Sequence, residues 1–451
     1  MIRGFKETED PRSDSPTAAK ETNKIVTAIA ANEGWKITSI DVTSAFLQGA
    51  SLTRDVFVEP PKEVKVEGMI WKLNKGGYGL LDASRLWFLD VRETLVASGC
   101  KNVSGDEAFF YYRKAGKLSG LVIVHVDDFY GTGDEDFTKD ILDTIYKKYE
   151  CSKREVDKFR FTGIDVEKTD DGILMSQNEY TKSIEEIEVK SSEDIKRDLN
   201  KEEFKQFRKA TGKLSWLSET TRPDLSFNVL EMSYKNREAK IEDIKKMNKV
   251  IKYAKSEPSE VLFRKVGEFK DLKILAVSDG AYLRLEDKTK SVAGRMIFLS
   301  NLNETRVCPL MWKSKSIPTV CKSAKAAETR AADKAFDDAI FCARTVCEIY
   351  TGCRGENQIP VTILTDSQSL LDSVDSTKQV EEKLIRPLVQ FMKDAKSCKW
   401  VDEFRWVDTD QCVADMLTKP GSKLVEKVRR VMKTGEMFRF KKKKTDREEP
   451  V

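Results

Sequence analysis

The stretch LVIVHVDDFY, from Leu121 to Tyr130, places two adjacent carboxylates at the end of an apolar, mostly β-branched run. β-Branched residues favour buried strands, and the glycines at positions 120, 131 and 133 favour turns on either side. The sequence therefore predicts a strand over 121–126 followed by a turn that holds Asp127 and Asp128. Two carboxylates beside an apolar strand repel each other unless a cation compensates, and a divalent metal would do so. The alternative is an Asx-turn in which one Asp caps the backbone and the other is solvated.

The composition is that of a globular protein with several domains. The chain has 451 residues, 40% of them hydrophobic, which is enough for roughly three domains. Its 79 basic and 75 acidic residues leave a net charge of +4, too small a bias to identify a polyanionic partner. No apolar run approaches the ~18 residues of a membrane span, and the first 20 residues are polar. We therefore expect no membrane partner and a cytoplasmic location, with the nucleus as the alternative.

The histidine and cysteine content excludes several kinds of chemistry. His125 is the only histidine, which removes HExxH zinc sites and leaves a Ser-His-Asp triad possible only through that residue. The nine cysteines contain no Cys-x-x-Cys pair, so the sequence indicates neither a zinc cluster nor a disulfide framework. Any catalysis would have to rely on carboxylates.

A second acid follows a strand pattern near the N-terminus. Residues 35–40 read as a short strand that leads to Asp41, with small residues and then Phe46 behind it. This spacing predicts a buried Phe close to a carboxylate. An ordinary helix N-cap Asp with a core Phe is the open alternative.

The remaining elements are predicted from periodicity and turn residues. Residues 109–112 and 118–126 should pair as a hairpin across residues 114–117. The polar region that follows residue 176 should be a linker up to about residue 200, and 203–256 should be helical with a break at Arg222-Pro223-Asp224.

Four further acids lie at corresponding points of the C-terminal half. Asp279 and Asp366 end predicted strands, Glu328 lies on the first turns of a long helix over about 323–350, and Asp415 opens a last predicted helix. If they converge, they could hold two Mg²⁺ ions ~4 Å apart for phosphodiester hydrolysis. The alternative is a set of unrelated surface acids.

The chain resembles the reverse transcriptase and RNase H portion of copia-type LTR retrotransposon polyproteins. The reverse transcriptase motifs are RGFKE (Arg3–Glu7), DVTSAFLQG (Asp41–Gly49), YGLLDASRLW (Tyr78–Trp87), HVDD (His125–Asp128), FTGIDV (Phe161–Val166) and TRPDLSF (Thr221–Phe227). The RNase H motifs are SDGAY (Ser278–Tyr282), WKSK (Trp312–Lys315), AAETRAAD (Ala326–Asp333), TDSQS (Thr365–Ser369) and VADMLTKP (Val413–Pro420). Each motif is modest by itself, but their order along the chain is specific.

The resemblance implies a role for each group of residues. Asp41, Asp127 and Asp128 would hold two Mg²⁺ ions at a polymerase centre, with Mn²⁺ as a possible substitute. Phe46 would exclude a 2′-hydroxyl and favour dNTPs, and Arg3 and Lys6 are candidates for contacting the triphosphate, unless they are ordinary surface charges. Asp279, Glu328, Asp366 and Asp415 would form an RNase H metal site. The implied partners are an RNA template, a DNA primer, an RNA–DNA hybrid and dNTPs.

Two positions depart from the family pattern. His125 stands where Tyr is usual, and Asp82-Ala83-Ser84 stands where Gln-Ala-Pro is usual, so His125 and Asp82 are also candidates for contacting substrate. His125 is expected on the same strand face as Asp127, where a protonated imidazole could contact phosphate and a neutral one would fill space.

The predicted fold is a multidomain α/β (α+β) protein. We expect truncated fingers and palm over 1–168, the palm end and a helical thumb or connection over 169–262, an RNase H-like domain over 263–421 and a basic tail over 422–451. The tail, with Lys441–Lys444, suits contact with nucleic acid or an import receptor, or is simply solvated. The predicted function is RNA- and DNA-directed DNA synthesis with RNase H cleavage. A catalytically impaired retrotransposon remnant that only binds nucleic acid is the alternative, and the oligomeric state stays open.

Overall fold

The computed structural model describes residues 12–190, 194–235, 238–285, 288–355 and 358–441. Within these ranges the chain forms two compact units of mixed α/β structure. The first comprises Met1–Val26, Trp35–Thr162 and Glu348–Arg354, and the second comprises Thr27–Gly34, Gly163–Cys347 and Gly355–Val451. Among the described helices, none combines the length and apolar composition that a bilayer span requires.

The first unit is built around an antiparallel sheet. Its strand order is β4-β5-β6-β7-β1-β8, and β2 and β3 form a separate hairpin. The elements up to residue 161 are α1 (Lys20–Glu33), β1 (Lys36–Val42), α2 (Ala45–Gln48), β2 (Ser51–Val58), β3 (Trp71–Lys75), α3 (Ala83–Ala97), β4 (Lys101–Val103), β5 (Asp106–Lys114), β6 (Lys117–His125), β7 (Asp128–Gly133), α4 (Glu135–Phe137), α5 (Asp143–Lys148), β8 (Cys151–Val156) and β9 (Lys158–Phe161). A π-helical turn, Thr138–Leu142, joins α4 to α5.

The predicted hairpin between β5 and β6 is present. Ala115 and Gly116 form its two-residue turn with φ of 49° and 78°. Positive φ at both central residues is the geometry of a type I′ turn, which matches the twist of the flanking strands.

The predicted turn holds Asp127 but not Asp128, which already begins β7, and the glycines after Tyr130 belong to the same strand. They lie in β7, which pairs with both β6 and β1. A Cβ atom on Gly131 would lie 2.5 Å from Cδ2 of Leu142, and one on Gly133 would lie 2.5 Å from Cδ1 of Phe137. These glycines are therefore needed for close packing of the helical segment on the sheet. From the sequence alone, a glycine needed for close packing cannot be distinguished from a glycine that forms a turn.

The second unit contains a mixed sheet of five strands. The order is β15-β14-β13-β16-β17, with β13, β14 and β15 antiparallel and β13, β16 and β17 parallel. Its elements are β10 (Ile164–Thr169), β11 (Gly172–Ser176), α6 (Asn178–Lys182), α7 (Lys201–Thr220), α8 (Ser226–Lys235), α9 (Ile241–Ser256), β12 (Glu260–Phe263), β13 (Leu272–Leu285), β14 (Lys290–Asn301), β15 (Val307–Ser316), α10 (Ala324–Thr351), β16 (Val361–Thr365), α11 (Gln368–Asp375), α12 (Arg386–Ser397), β17 (Glu403–Trp406) and α13 (Val425–Thr434). A mixed sheet with helices was predicted for this part of the chain, and the structure confirms it.

The helices α7, α8 and α9 form a layer with its own core. Phe207, Leu214, Ile244 and Met247 are fully buried in it. Ile184 and Ile187 are buried in the same core, so this part of the predicted linker is packed structure. Its apolar residues are too widely spaced among acidic ones to show a period in the sequence.

The break between α7 and α8 contains a buried ion pair. The Arg222 guanidinium donates to both carboxylate oxygens of Asp224, from Nε at 2.9 Å and from Nη2 at 2.8 Å, and Nη1 donates to the carbonyl of Ala254 at 2.8 Å. The two side chains are 3% and 2% exposed. This pair fixes the turn that the TRPDLSF motif encodes.

The C-terminal segment differs from the sequence prediction. The helix expected near Gln411 is replaced by two 3₁₀ turns, Thr409–Gln411 and Val413–Leu417. Within the predicted tail, α13 buries Val428, Val431 and Met432. The residues that follow it run along the start of β15, where the Val307 amide donates to the Gly435 carbonyl at 2.8 Å and the Met437 amide to the Thr305 carbonyl at 2.9 Å. Residues 425–441 are therefore part of the folded unit and not a solvated tail.

Candidate active sites

The first acidic cluster lies where β1, β6 and β7 meet. Asp41 is the direct neighbour of Asp128 in the pairing of β1 with β7, and His125 is the neighbour of Asp128 in the pairing of β6 with β7. The Val42 amide donates to the carbonyl of Asp127 at 3.1 Å. The three predicted aspartates are thus brought together by one hairpin and the strand beside it.

A strained two-residue turn carries Asp127. Val126 has φ of 58°, in the left-handed region that costs a β-branched residue roughly 1–2 kcal/mol. The buried indole of Trp87 donates from Nε1 to the Val126 carbonyl at 2.6 Å. Trp87 also packs edge-on against Tyr149, with ring centroids 4.8 Å apart. Trp87 therefore holds the turn, a role that its place in the YGLLDASRLW motif did not reveal.

The charges in this cluster repel one another. Burial, followed by the negative charges of Asp127 and Asp41, raises the pKa of Asp128 to about 6. The Ser152 hydroxyl donates to the Asp41 carboxylate. Among the described residues, these three aspartates do not place their ligand atoms within 4.8 Å of one another. Their oxygen-only donor set and mutual repulsion nevertheless fit hard divalent cations, which would draw them together.

Phe46 lies behind Asp41, as the sequence predicts, but it is only half-buried. Ser44, with φ of 49°, turns the chain from β1 into α2. The Phe46 ring then packs against Tyr78 with centroids 5.0 Å apart. The aromatic ring is thus held in place while part of its surface stays open.

Three other residues were predicted to contact substrate: Asp82, Arg3 and Lys6. Both carboxylate oxygens of Asp82 accept hydrogen bonds from Arg54, at 2.9 and 3.3 Å, so Asp82 ties β2 to the start of α3. Arg3 and Lys6 lie outside the described residues.

His125 ends β6, and the turn after it breaks the alternation of side chains. The prediction that His125 and Asp127 lie on the same strand face is therefore wrong, because Val126 leaves the strand conformation. The imidazole lies edge-on to Phe161 with ring centroids 6.4 Å apart. Burial lowers the pKa of His125, and the charge of Asp127 opposes this only in part. The neutral, space-filling form is favoured.

The second acidic cluster lies on the mixed sheet where the inner strands β13 and β16 pair. Ser278 in β13 is the parallel partner of Thr365 in β16, so the residues that follow them, Asp279 and Asp366, are carried to neighbouring positions. Glu328 is on the first turns of α10, and its Oε2 accepts from the Gly280 amide at 3.0 Å.

Gly280 allows the close approach of β13 and α10. A Cβ atom at this position would lie 2.5 Å from the backbone atoms Ala327 C and Glu328 N. The SDGAY motif thus combines a ligand candidate with the glycine that lets Glu328 reach it.

Burial and like charges make this cluster electrostatically costly. Burial, followed by the charges of Asp279 and Asp366, raises the pKa of Glu328 to about 9. Burial also raises the pKa of Asp279, although Lys419 and a hydrogen bond from Thr418 oppose the change. A cluster of buried carboxyl groups whose pKa values are raised in this way is typical of a cation site.

Asp415 lies on a 3₁₀ turn, not at the start of a helix. Ser422 Oγ donates to its Oδ2 at 2.8 Å, and Lys419 Nζ contacts its Oδ1. The Thr409 hydroxyl donates to Oδ2 of Asp366 at 2.9 Å. Sequence reasoning missed Thr418 and Lys419, although the VADMLTKP motif contains both.

A buried thiol adjoins the second cluster. One oxygen each of Asp279 and Asp366 and the Sγ atom of Cys412 lie within 4.8 Å of one another. Burial, followed by the surrounding acids, raises the pKa of Cys412, which keeps the thiol protonated. A protonated thiol is a poor ligand for Mg²⁺, so Asp279 and Asp366 are the donors of this group that fit the metal. Glu328 and Asp415 are not part of the group among the described residues.

Comparison with known proteins identifies relatives of this chain and a family match for its N-terminal part. Residues 2–196 match the family described as reverse transcriptase (RNA-dependent DNA polymerase). The chain is 27% identical over 333 residues to the retrovirus-related Pol polyprotein from transposon RE1 of Arabidopsis thaliana, covering 70% of this chain and 22% of that protein. It is 22% identical over 448 residues to the Pol polyprotein from transposon TNT 1-94 of Nicotiana tabacum, covering 93% of this chain and 32% of that protein. The chain therefore spans about a fifth to a third of the length of these curated relatives.

A solved structure shares the fold. The foamy viral protease-reverse transcriptase, solved in complex with double-stranded DNA, matches with a TM-score of 0.52 at 14% identity, over 88% of this chain and 61% of that one. At this identity the match shows a similar arrangement of helices and strands and nothing about activity.

Proposed function

We propose that this chain synthesises DNA on RNA and DNA templates and cleaves RNA in RNA–DNA hybrids, because residues 2–196 match the reverse transcriptase family and the chain is similar to retrovirus-related Pol polyproteins from transposons. One observation carries the proposal: each compact unit has its own cluster of carboxylates beside its own sheet. The substrates would be a template, a DNA primer, dNTPs and the hybrid.

The first cluster is proposed as the polymerase centre. Asp41, Asp127 and Asp128 would hold divalent ions, Mg²⁺ or Mn²⁺. In both clusters, bound ions would lower the pKa of the attacking hydroxyl or water and neutralise charge on the phosphate. Trp87 fixes the turn that presents Asp127, and Ser152 orients Asp41. Phe46 would press on the sugar of the incoming nucleotide and exclude a 2′-hydroxyl.

The second cluster is proposed as the RNase H centre. Asp279, Glu328, Asp366 and Asp415 would hold two ions and position them on the RNA strand. The chain holds these acids in place through the Gly280 amide and the hydroxyls of Thr409, Thr418 and Ser422. Preorganisation of this kind lowers the cost of assembling the charged site.

The test is a pair of separation-of-function variants. In primer extension with Mg²⁺ or Mn²⁺, Asp127→Asn should lose at least about a hundredfold in rate and keep hybrid cleavage. Asp366→Asn should show the opposite pattern. Asp136→Asn, an exposed carboxylate on α4, is the matched control and should retain both activities. The proposal fails if the wild-type chain shows neither activity with either ion, or if both variants retain both.

A remnant that only binds nucleic acid is not favoured. All seven carboxylates are present in the sequence, and five of them accept a hydrogen bond through a carboxylate oxygen: Asp41, Asp279, Glu328, Asp366 and Asp415. The expected location, the cytoplasm within a virus-like particle and possibly the nucleus, is part of the same proposal.

A further inference from the structure

Lys419 reaches into the second acidic cluster. Its ammonium lies 3.6 Å from Oδ1 of Asp279 and also contacts Oδ1 of Asp415. The neighbouring Thr418 donates to the other oxygen of Asp279. Lys419 thus touches two of the four acids through the oxygen atoms that a divalent ion would need.

The ammonium compensates only part of the local charge. One positive charge faces four carboxylates, those of Asp279, Asp415, Asp366 and Glu328. Removing the ammonium without a replacement would leave Asp279, whose side chain is 1% exposed, as an uncompensated buried acid. A cation at this position therefore stabilises the ionised form of the cluster.

The side chain of Lys419 can leave without disturbing the fold. Its backbone amide donates to the Asp415 carbonyl at 3.1 Å, and Pro420 restricts its backbone further. The side chain itself is 34% exposed, so the route outward is open to solvent. A flexible four-carbon stem then allows the ammonium to move while the turn stays in place.

We propose that Lys419 is an exchangeable counter-ion: it neutralises Asp279 and Asp415 in the metal-free protein and gives up those oxygens when a divalent cation binds. The proposal rests on the proposed RNase H function. Two like charges cannot share the same carboxylate oxygens at contact distance, so the lysine and the ion compete. Once displaced, the ammonium lies at the rim of the cluster, where it can contact a phosphate of the hybrid.

The test measures Mn²⁺ binding directly. The full chain carries Asp41→Asn and Asp127→Asn to silence the first cluster, and Mn²⁺ is titrated at pH 8 by calorimetry. In this background Lys419→Met should bind Mn²⁺ about tenfold more tightly, because the competing charge is gone. Lys419→Arg, which keeps the charge, should stay within about threefold of the background. Lys270→Met, on an exposed 3₁₀ turn of the same unit, should have no effect.

The rise in melting temperature on adding Mn²⁺ gives a second readout, which a purely structural role of Lys419 would not affect. In EDTA, Lys419→Met should melt below the background, and saturating Mn²⁺ should raise its melting temperature by about 3–6 °C more than it raises that of the background. If Lys419→Met unfolds in EDTA, its refolding on addition of Mn²⁺ replaces this comparison.

The outcomes separate the two proposals. If the background binds Mn²⁺ and Lys419→Met binds it equally or more weakly, Lys419 does not compete and the exchange is overturned, while the metal site stands. If neither protein binds Mn²⁺, or if Asp279→Asn leaves binding unchanged, the metal site of the proposed function is overturned, and the exchange with it.

Discussion

Replacing Trp87 by Phe should uncouple the turn at Val126 from the rest of the first unit. The change keeps an aromatic ring in the core but removes the donor that lies 2.6 Å from the Val126 carbonyl. Leaving that carbonyl unpaired costs about 1–3 kcal/mol, and the unfilled volume of the indole adds roughly 1 kcal/mol. We therefore expect the free energy of unfolding to fall by about 2–4 kcal/mol.

The effect on catalysis should exceed the effect on folding. The turn stores the strain of a left-handed Val, and without the indole it can relax toward ordinary backbone angles and carry Asp127 with it. A displacement of about 1 Å of a catalytic group can cost about a hundredfold in rate. Single-nucleotide primer extension at saturating dNTP, at a temperature where the variant is fully folded, measures this loss.

Trp400→Phe is the matched control, because that indole is largely exposed and lies in the second unit. The control should leave primer extension unchanged. The reasoning is refuted if Trp87→Phe loses stability as expected but extends primers at the wild-type rate, because Trp87 would then only fill the core.

Three further outcomes are expected from the second unit. Asp224→Asn should lower the free energy of unfolding by about 3–5 kcal/mol in urea denaturation, because it leaves the buried guanidinium of Arg222 without its partner; a loss under about 1 kcal/mol would contradict this. For Glu304, burial raises the pKa, but the hydrogen bonds from Arg405 and Lys273 outweigh it and the net pKa is lowered from 4.5. Its stabilising effect is therefore complete above pH 4.5 and is lost as pH falls through the lowered pKa, so Glu304→Gln should be less stable than wild type at pH 7 and the gap should narrow below pH 4.5. Gly280→Ala should abolish hybrid cleavage and spare primer extension, because its Cβ would lie 2.5 Å from the backbone at Glu328, and retained cleavage would show that α10 can shift at no cost to the site.

The sequence was informative where one residue type has one dominant use. The run of β-branched residues before Asp127 did form a buried strand, the Ala115-Gly116 turn did close a hairpin, and the long helix carrying Glu328 was predicted to within a residue of its observed bounds. Local periodicity and turn preference act over a few residues, which is the range that a single sequence exposes.

The sequence was uninformative where distant packing decides. From the sequence, Gly131 is typical of a turn and Asp82 is a candidate for contacting substrate, whereas in the structure Leu142 packs over Gly131 and Arg54 pairs with Asp82. The sequence indicates no role for Lys419 within its motif, because a lysine four residues after an acid is ordinary on any protein surface. Its significance depends on Asp279, which is 140 residues away in the chain.

The path of the chain after Pro420 decides where this protein can be shortened. A boundary at residue 421, where the family resemblance would end the RNase H domain, would delete Ser422, a hydrogen-bond donor to Asp415, and the whole of α13. It would also remove the segment that hydrogen-bonds to the start of β15, and it would uncover the apolar surface against which Val428, Val431 and Met432 pack. A truncated protein for crystallisation or expression should therefore keep every residue through Lys441, and a shorter one is expected to aggregate through that uncovered surface.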